Sequence, residues 1–277
     1  MSSSRLEILN DGGLRHDARR PYELRSTSFL LSTHTASSSS SSSSSSGLTP
    51  PDGSSTVTQG LTSVQVTVFG PREPKQRSQA AHDRATVVVE VGVVPWAAGG
   101  GGGAKRTRGD KRLQEIGAAI RQTFEPVIMT HLYPRSEIAI NVQVLAADGG
   151  ILPTSINATT LALIDAGISM LDYVTSISIG LHLLQPLLDL SQPEELDLPM
   201  LVVASLPSSG KITLAQMETR LHVDRFEEML SLGVEACKVL KDEMDNVVKE
   251  RTRKVVDRMN VRIGTTTTSS SNMVIDD

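Results

Sequence analysis

The sequence predicts an α+β fold, mixed sheets packed with helices, as one domain over residues 1–260 followed by a flexible C-terminal tail over 261–277. Three observations carry this expectation. Short runs alternate β-branched and polar residues, longer runs place apolar residues three and four apart, and the two kinds do not strictly alternate along the chain. With 277 residues, 39% of them hydrophobic, the chain can build a core of that kind.

Residues 25–33 read as a first strand. A serine run over 37–46 follows, extended by Gly47 and by Pro50-Pro51-Asp52-Gly53, so residues 35–54 are expected to be a disordered Ser-rich loop between neighbouring strands. The run is open to two readings, a phosphorylation tract or a tolerated loop expansion. Over 64–69, Val64, Val66 and Val68 alternate with polar residues, the period of a half-buried strand that ends at Gly70-Pro71. Residues 87–94 form another strand, rich in valine, before a Gly-rich loop at 97–104.

The spacing of Leu113, Ile116, Ile120, Phe124, Val127 and Ile128 predicts a helix over 113–129, kinked in its last turn by Pro126. Residues 138–145 alternate again through Ile138, Ile140, Val142 and Val144. After the turn Ala147-Asp148-Gly149-Gly150 comes a buried helix over 157–166, stopped by Gly167. Strands follow near 174–182, 200–206 and 211–217, with Ser208-Ser209-Gly210-Lys211 as a hairpin turn. Asp224 is expected to cap a final helix running to about Val256, and 265–271 is a loose tail.

Composition narrows the function classes. The net charge of −4 argues against a globally basic nucleic-acid coat. No run of about 18 uncharged apolar residues exists, so no membrane span is expected. Residues 1–13 lack an apolar segment, so secretion is not expected either. A single cysteine, Cys237, excludes a disulfide framework and reads as a core thiol. The six histidines are scattered without ligand spacing, so no metal is expected. Aromatic residues make up 3%, too few for a sheet of base-stacking side chains.

Charge is placed unevenly. Lys105, Arg106, Arg108, Lys111, Arg112 and Arg121 fall close together, whereas no Lys or Arg occurs between Arg135 and Lys211. Such a strip either binds the phosphates of a polymer or is simply a solvated loop and helix start.

Several blocks then resemble one family. Arg15-His16-Asp17-Ala18-Arg19, followed by Leu24-Arg25, resembles the R-x-D-G-R-x-x-x-x-L-R opening of the RNase PH family. Val66-Thr67-Val68-Phe69 with Gly70-Pro71-Arg72-Glu73 resembles its strand and G-P-x-E turn. Tyr133-Pro134-Arg135, Val144 through Gly150, and Asn157 through Ile168 follow in the family's order, so the blocks cover about residues 8–258.

The resemblance implies an RNase PH-like fold, related to ribosomal protein S5 domain 2, assembled into a six-membered ring. Active relatives degrade RNA from the 3′ end with inorganic phosphate as nucleophile, releasing nucleoside diphosphates. By resemblance, Arg112 holds the place of a phosphate-binding arginine, Asp189 that of a general acid and Glu195 that of a second carboxylate. The loop after Asp148-Gly149-Gly150 should supply a small hydroxyl residue and an arginine. Ile151 and Leu152 stand there instead, followed by Pro153.

That departure bears on the chemistry. A phosphate dianion beside an RNA phosphate needs fixed positive charge and donors, and losing one such donor costs about 10²–10³ in rate. The expectation is therefore a degenerate site and a pseudoenzyme without a cofactor. It would be a structural and RNA-channel subunit of the eukaryotic RNA exosome, the complex for rRNA processing and RNA degradation. The alternative is an active phosphorolytic exoribonuclease whose missing arginine comes from a partner.

The partners implied are other RNase PH-like exosome ring subunits, S1/KH cap subunits, a separate hydrolytic exoribonuclease and RNA, in the nucleus, nucleolus and cytoplasm. RNA is expected to meet Arg72, Lys75 and Arg77 in the loop after Gly70-Pro71, and Lys105, Arg106, Arg108, Lys111 and Arg112 around the helix start.

Overall fold

The computed structural model describes residues 8–10, 12–33, 50–74, 81–97 and 110–268. The serine run, the glycine run, and Lys75, Arg77, Lys105, Arg106 and Arg108 lie outside the described residues.

Five strands form the first sheet: β1 (Thr27–Leu31), β2 (Gly53–Gln59), β3 (Thr62–Arg72), β4 (Thr86–Val93) and β5 (Glu137–Ala146), in the order β1-β2-β3-β5-β4. β4 and β5 run parallel and the other pairs are antiparallel. The alternation seen in the sequence is the burial pattern: Val64, Val66 and Val68 on β3 face the core with Ile138, Ile140, Val142 and Val144 on β5. Helix α1 (Lys111–Phe124) makes the crossover between the parallel strands. A crossover helix runs back along the sheet, so the first turn of α1 lies at the end where β4 and β5 finish.

Two expectations in this half need correction. β2 enters between β1 and β3, and it begins inside the segment expected to be loop. Its small residues conceal it from a hydrophobic pattern, yet they are what the packing demands. A Cβ at Gly53 would fall 2.3 Å from the Ala162 carbonyl oxygen. α1 ends at Phe124 rather than 129, so Pro126 lies past the helix and kinks nothing. Val127 and Ile128 are buried in the turn that follows.

α2 (Ile151–Asp165) occupies the centre, with residues 153–163 all buried. It starts six residues before the expected position, because Pro153 sits in the first turn, where its missing N–H costs nothing. One side of α2 meets β2 and β3, the other β6 (Thr175–His182) and β8 (Met200–Leu206). The second sheet adds β7 (Gln185–Leu188) and β9 (Lys211–Met217), in the order β7-β6-β8-β9. Strand β7 pairs only with the end of β6. Asn157 on α2 takes over at the other end, donating to the Ser176 carbonyl at 2.9 Å and accepting from its amide at 2.8 Å.

A short α3 (Gln192–Asp197) follows β7, an element the sequence pattern does not predict. α4 (Val223–Thr268) covers β6 and β8 with Met229, Ala236, Cys237 and Leu240, while Met244 joins the core of the first sheet. Burial pushes the Cys237 thiol up, and it donates to the Thr175 carbonyl at 3.4 Å. The helix runs 12 residues beyond the expected end at Val256, through part of the expected tail, and Asp224 lies within its first turn rather than at its cap. No described helix is long and apolar enough to cross a membrane.

Candidate functional site

Three segments converge beyond the end of β5: residues 15–25, the Asp148-Gly149-Gly150 turn into α2, and the turn from β7 into α3. The double glycine is required by the approach. Gly149 (φ 79°) and Gly150 (φ 65°) both lie in the left-handed region. A Cβ on Gly149 would come 2.7 Å from the Gln192 nitrogen, and one on Gly150 would come 2.8 Å from Arg25 Nη2.

Asp189 is fully buried at φ 56°, a conformation that aspartate tolerates better than most residues. Both carboxylate oxygens are taken by one residue. Oδ2 accepts the Arg25 backbone N–H at 2.8 Å, and Oδ1 accepts Arg25 Nε at 2.9 Å and Nη2 at 2.6 Å. Arg25 Nη1 donates to the Asp148 carbonyl at 2.8 Å, which ties the glycine turn to the Asp189 turn.

Two more buried arginines hold the same turn. Arg15, with no exposed surface, donates Nε to Glu194 Oε1 at 2.8 Å and Nη2 to both Glu194 Oε2 and the Asp189 carbonyl. Arg19 Nη1 donates to the carbonyls of Asp189 and Glu23, each at 3.1 Å. Burial and the Arg15 cation push the Arg19 guanidinium down. Burial alone would raise Glu194, but the bonds from Arg15 and the Ser191 amide together hold its carboxyl below the usual range.

Glu195 faces the opening of α2, where Oε1 accepts the Gly150 N–H at 2.7 Å. It supplies the anion that a helix N-terminus attracts. Burial pushes its carboxyl up, with Asp189 adding to the effect, against the opposing pull of the Gly150 amide, Arg25 and Arg112. Ile151 and Leu152 follow on α2 itself, not in a loop, and their half-buried side chains pack against the core.

The basic residues divide into three groups. Lys111 and Arg112 are exposed in the first turn of α1, with the Arg112 amide capped by Asp110 at 3.4 Å, and neither closes an ion pair among the described residues. Arg72 lies on the end of β3 rather than in the loop beyond it. It pairs with Asp52 at 3.0 Å over the ring of Phe69. The other five fall outside the described residues.

Thus the structure brings Ile151, Leu152, Asp189, Glu195 and Arg112 to one place, with Lys111 beside them. Sequence reasoning missed the roles of Arg15, Arg19, Arg25, Glu194 and the Gly150 amide. The opening motif contains all three arginines, but their partners lie some 164 to 179 residues away, beyond any local pattern. Both Asp189 carboxylate oxygens are occupied by Arg25, and Glu195 occupies the Gly150 amide at the α2 N-terminus. Among the described residues, no group of three or more His, Cys, Asp or Glu could hold a metal ion.

Comparison with known proteins identifies the family and the fold. Residues 29–169 match the 3′ exoribonuclease family, domain 1, and residues 172–236 match domain 2 of the same family. The exosome complex component RRP41 of Homo sapiens is 38% identical over 250 residues, covering 90% of this chain and 96% of the human protein. The exosome complex component SKI6 of Saccharomyces cerevisiae is 34% identical, covering 94% of this chain and all of the yeast protein. Among solved structures, rice (Oryza sativa) Rrp46 superposes with a TM-score of 0.68 at 21% identity, over 85% of this chain and all of that one. The Archaeoglobus fulgidus exosome with RNA bound to the active site gives 0.67 at 19% identity, over 84% and 93%. By two matched domains and relatives aligned over nearly their whole length, this chain belongs to the RNase PH family of 3′ exoribonucleases.

Proposed function

We propose that this chain is a non-catalytic structural and RNA-channel subunit of the RNA exosome. It would build the ring with other RNase PH-like subunits and pass RNA to a separate hydrolytic exoribonuclease, beneath S1/KH cap subunits. Near full-length similarity to proteins named as exosome components supports the assembly.

One observation carries the non-catalytic part. Ile151 and Leu152 turn two aliphatic side chains onto the core at the positions where phosphorolysis requires a hydroxyl and a guanidinium. Two anions cannot be brought together without cations between them. Among the described residues, Arg25 is committed to Asp189, and Arg15 to Glu194. Lys111 and Arg112 remain exposed, suited to holding RNA phosphates without reading sequence.

The test is a ring reconstituted with its RNase PH-like partners and no hydrolytic subunit, given 5′-labelled RNA, Mg²⁺ and phosphate. Bound RNA that keeps its length, with no nucleoside diphosphate released, is the expected result. Phosphate-dependent shortening would overturn the reading and point to an arginine from a partner.

A further inference from the structure

We propose that Trp96 is a stacking contact for a base of single-stranded RNA, at the end of the first sheet where β4 and β5 finish. The inference rests on the RNA-channel reading above and adds to it a residue that is not a cation.

Trp96 is the chain's only tryptophan and is 76% exposed. Burying an indole is among the larger apolar gains open to a fold, so leaving this one in solvent contributes little to folding. The backbone around it is nevertheless tied to the sheet. Trp96 sits on a single 3₁₀ turn, Pro95–Ala97, directly after β4. The Ala97 amide closes that turn on the Val94 carbonyl at 2.9 Å, and the Val94 amide donates to the Val144 carbonyl of β5 at 3.1 Å.

The surroundings favour a nucleic acid. Val93 of β4 and Leu113 of α1 line one groove, so the first turn of α1 stands beside the end of β4. That turn contains Lys111 and Arg112, both exposed, and no acid. Of the acids nearby, Asp110 caps the Arg112 amide and Glu195 accepts from the Gly150 amide, while Glu115 lies one turn further along α1. An aromatic face next to cations is the arrangement by which single strands are held without sequence preference. A protein partner would call for a broader apolar patch, but Pro95 and Ala97 add little area.

The test uses the full-length chain and the reconstituted ring, with oligoadenylate as probe. In the full-length chain alone, Trp96 fluorescence should be quenched as oligoadenylate saturates. In the ring, Trp96→Ala should weaken RNA binding roughly tenfold, Trp96→Phe should keep most of the affinity, and neither should change the salt dependence, because no counterion is released. Lys111→Ala with Arg112→Ala should lower both affinity and salt slope.

If Trp96→Ala binds as the parent does while the lysine–arginine variant is weakened, the stacking inference falls and the channel reading stands. If neither variant changes binding, both fall. If Trp96→Ala prevents ring assembly while Trp96→Phe permits it, Trp96 is a subunit contact and the inference is overturned.

Discussion

Two charged regions lie at the same end of this molecule and differ in what their charges touch. Around Asp189, three arginines and two acidic side chains are buried, and each guanidinium is bonded to a carboxylate or a carbonyl. At the start of α1, Lys111 and Arg112 lie in solvent without an ion pair among the described residues. Burial determines the consequence. A charge removed from water must find its partner within the fold, where losing that partner is expensive. An exposed charge contributes little to stability and stays available to a ligand. In the reading proposed above, the first region serves as architecture and the second as a binding surface.

The largest expected effect separates them on stability. Glu194→Ala leaves Arg15 buried without its carboxylate and should cost about 3–5 kcal/mol in denaturant unfolding. A loss under about 0.5 kcal/mol, typical of surface sites, would mean that the clamp is not holding the turn.

Next comes an attempt to convert one region into the other. Ile151→Ser combined with Leu152→Arg restores the missing hydroxyl and guanidinium. Phosphorolysis by the assembled ring should still be undetectable, because Asp189 remains bonded to Arg25 and Glu195 still fills the α2 N-terminus. The half-buried arginine should itself cost about 1–3 kcal/mol. Recovery of nucleoside diphosphate release would show that the closed charge network is no obstacle.

A smaller effect appears in pH dependence. Glu195 is raised in the fold, so the stability it contributes is complete below the ordinary glutamate range and is lost as pH rises through its folded value. Glu194 is lowered, so its contribution is present above that range and is lost as pH falls through its folded value. Glu195→Gln keeps an acceptor for the Gly150 amide and removes the buried charge. Stability curves recorded across pH should lose the decline above the ordinary glutamate range and keep the decline on acidification. An unchanged curve would contradict the burial of Glu195.

The smallest effect carries the opposite sign. Lys111 and Arg112 place cations at the positive end of the α1 dipole, so replacing both by alanine should raise stability by about 0.3–1 kcal/mol. The same variant should bind RNA more weakly, with the salt slope reduced by about 0.7 for each RNA phosphate that is no longer neutralised. A more stable fold that binds less RNA is the signature of residues kept for a ligand.

How much of this was legible in the sequence follows the range of the interactions. Strands β3 and β5 were readable because each buries one face, and the period of two survives in Val64-Val66-Val68 and Ile138-Ile140-Val142-Val144. β2 was not, because contact with α2 replaces its large side chains by glycine and serine. The true start of α2 was hidden by Gly150 and Pro153, two residues that interrupt a helix anywhere but at its beginning. The site divides in the same way. Asp189 and Glu195 lie six residues apart in the sequence, whereas the arginines that occupy Asp189 and Glu194 lie at the other end of the chain, so only the fold pairs them.

The central claim is that Asp189 is a structural anion and not a general acid. Asp189→Asn tests it most directly, because asparagine has nearly the same shape and also tolerates a positive φ, while the charge is lost and one oxygen that accepts from Arg25 becomes an NH₂ donor. Unfolding free energy should fall by at least about 2 kcal/mol, since Arg25 loses its counterion in a buried site. An unchanged or increased stability, the behaviour of residues retained for chemistry at the expense of the fold, would contradict the account.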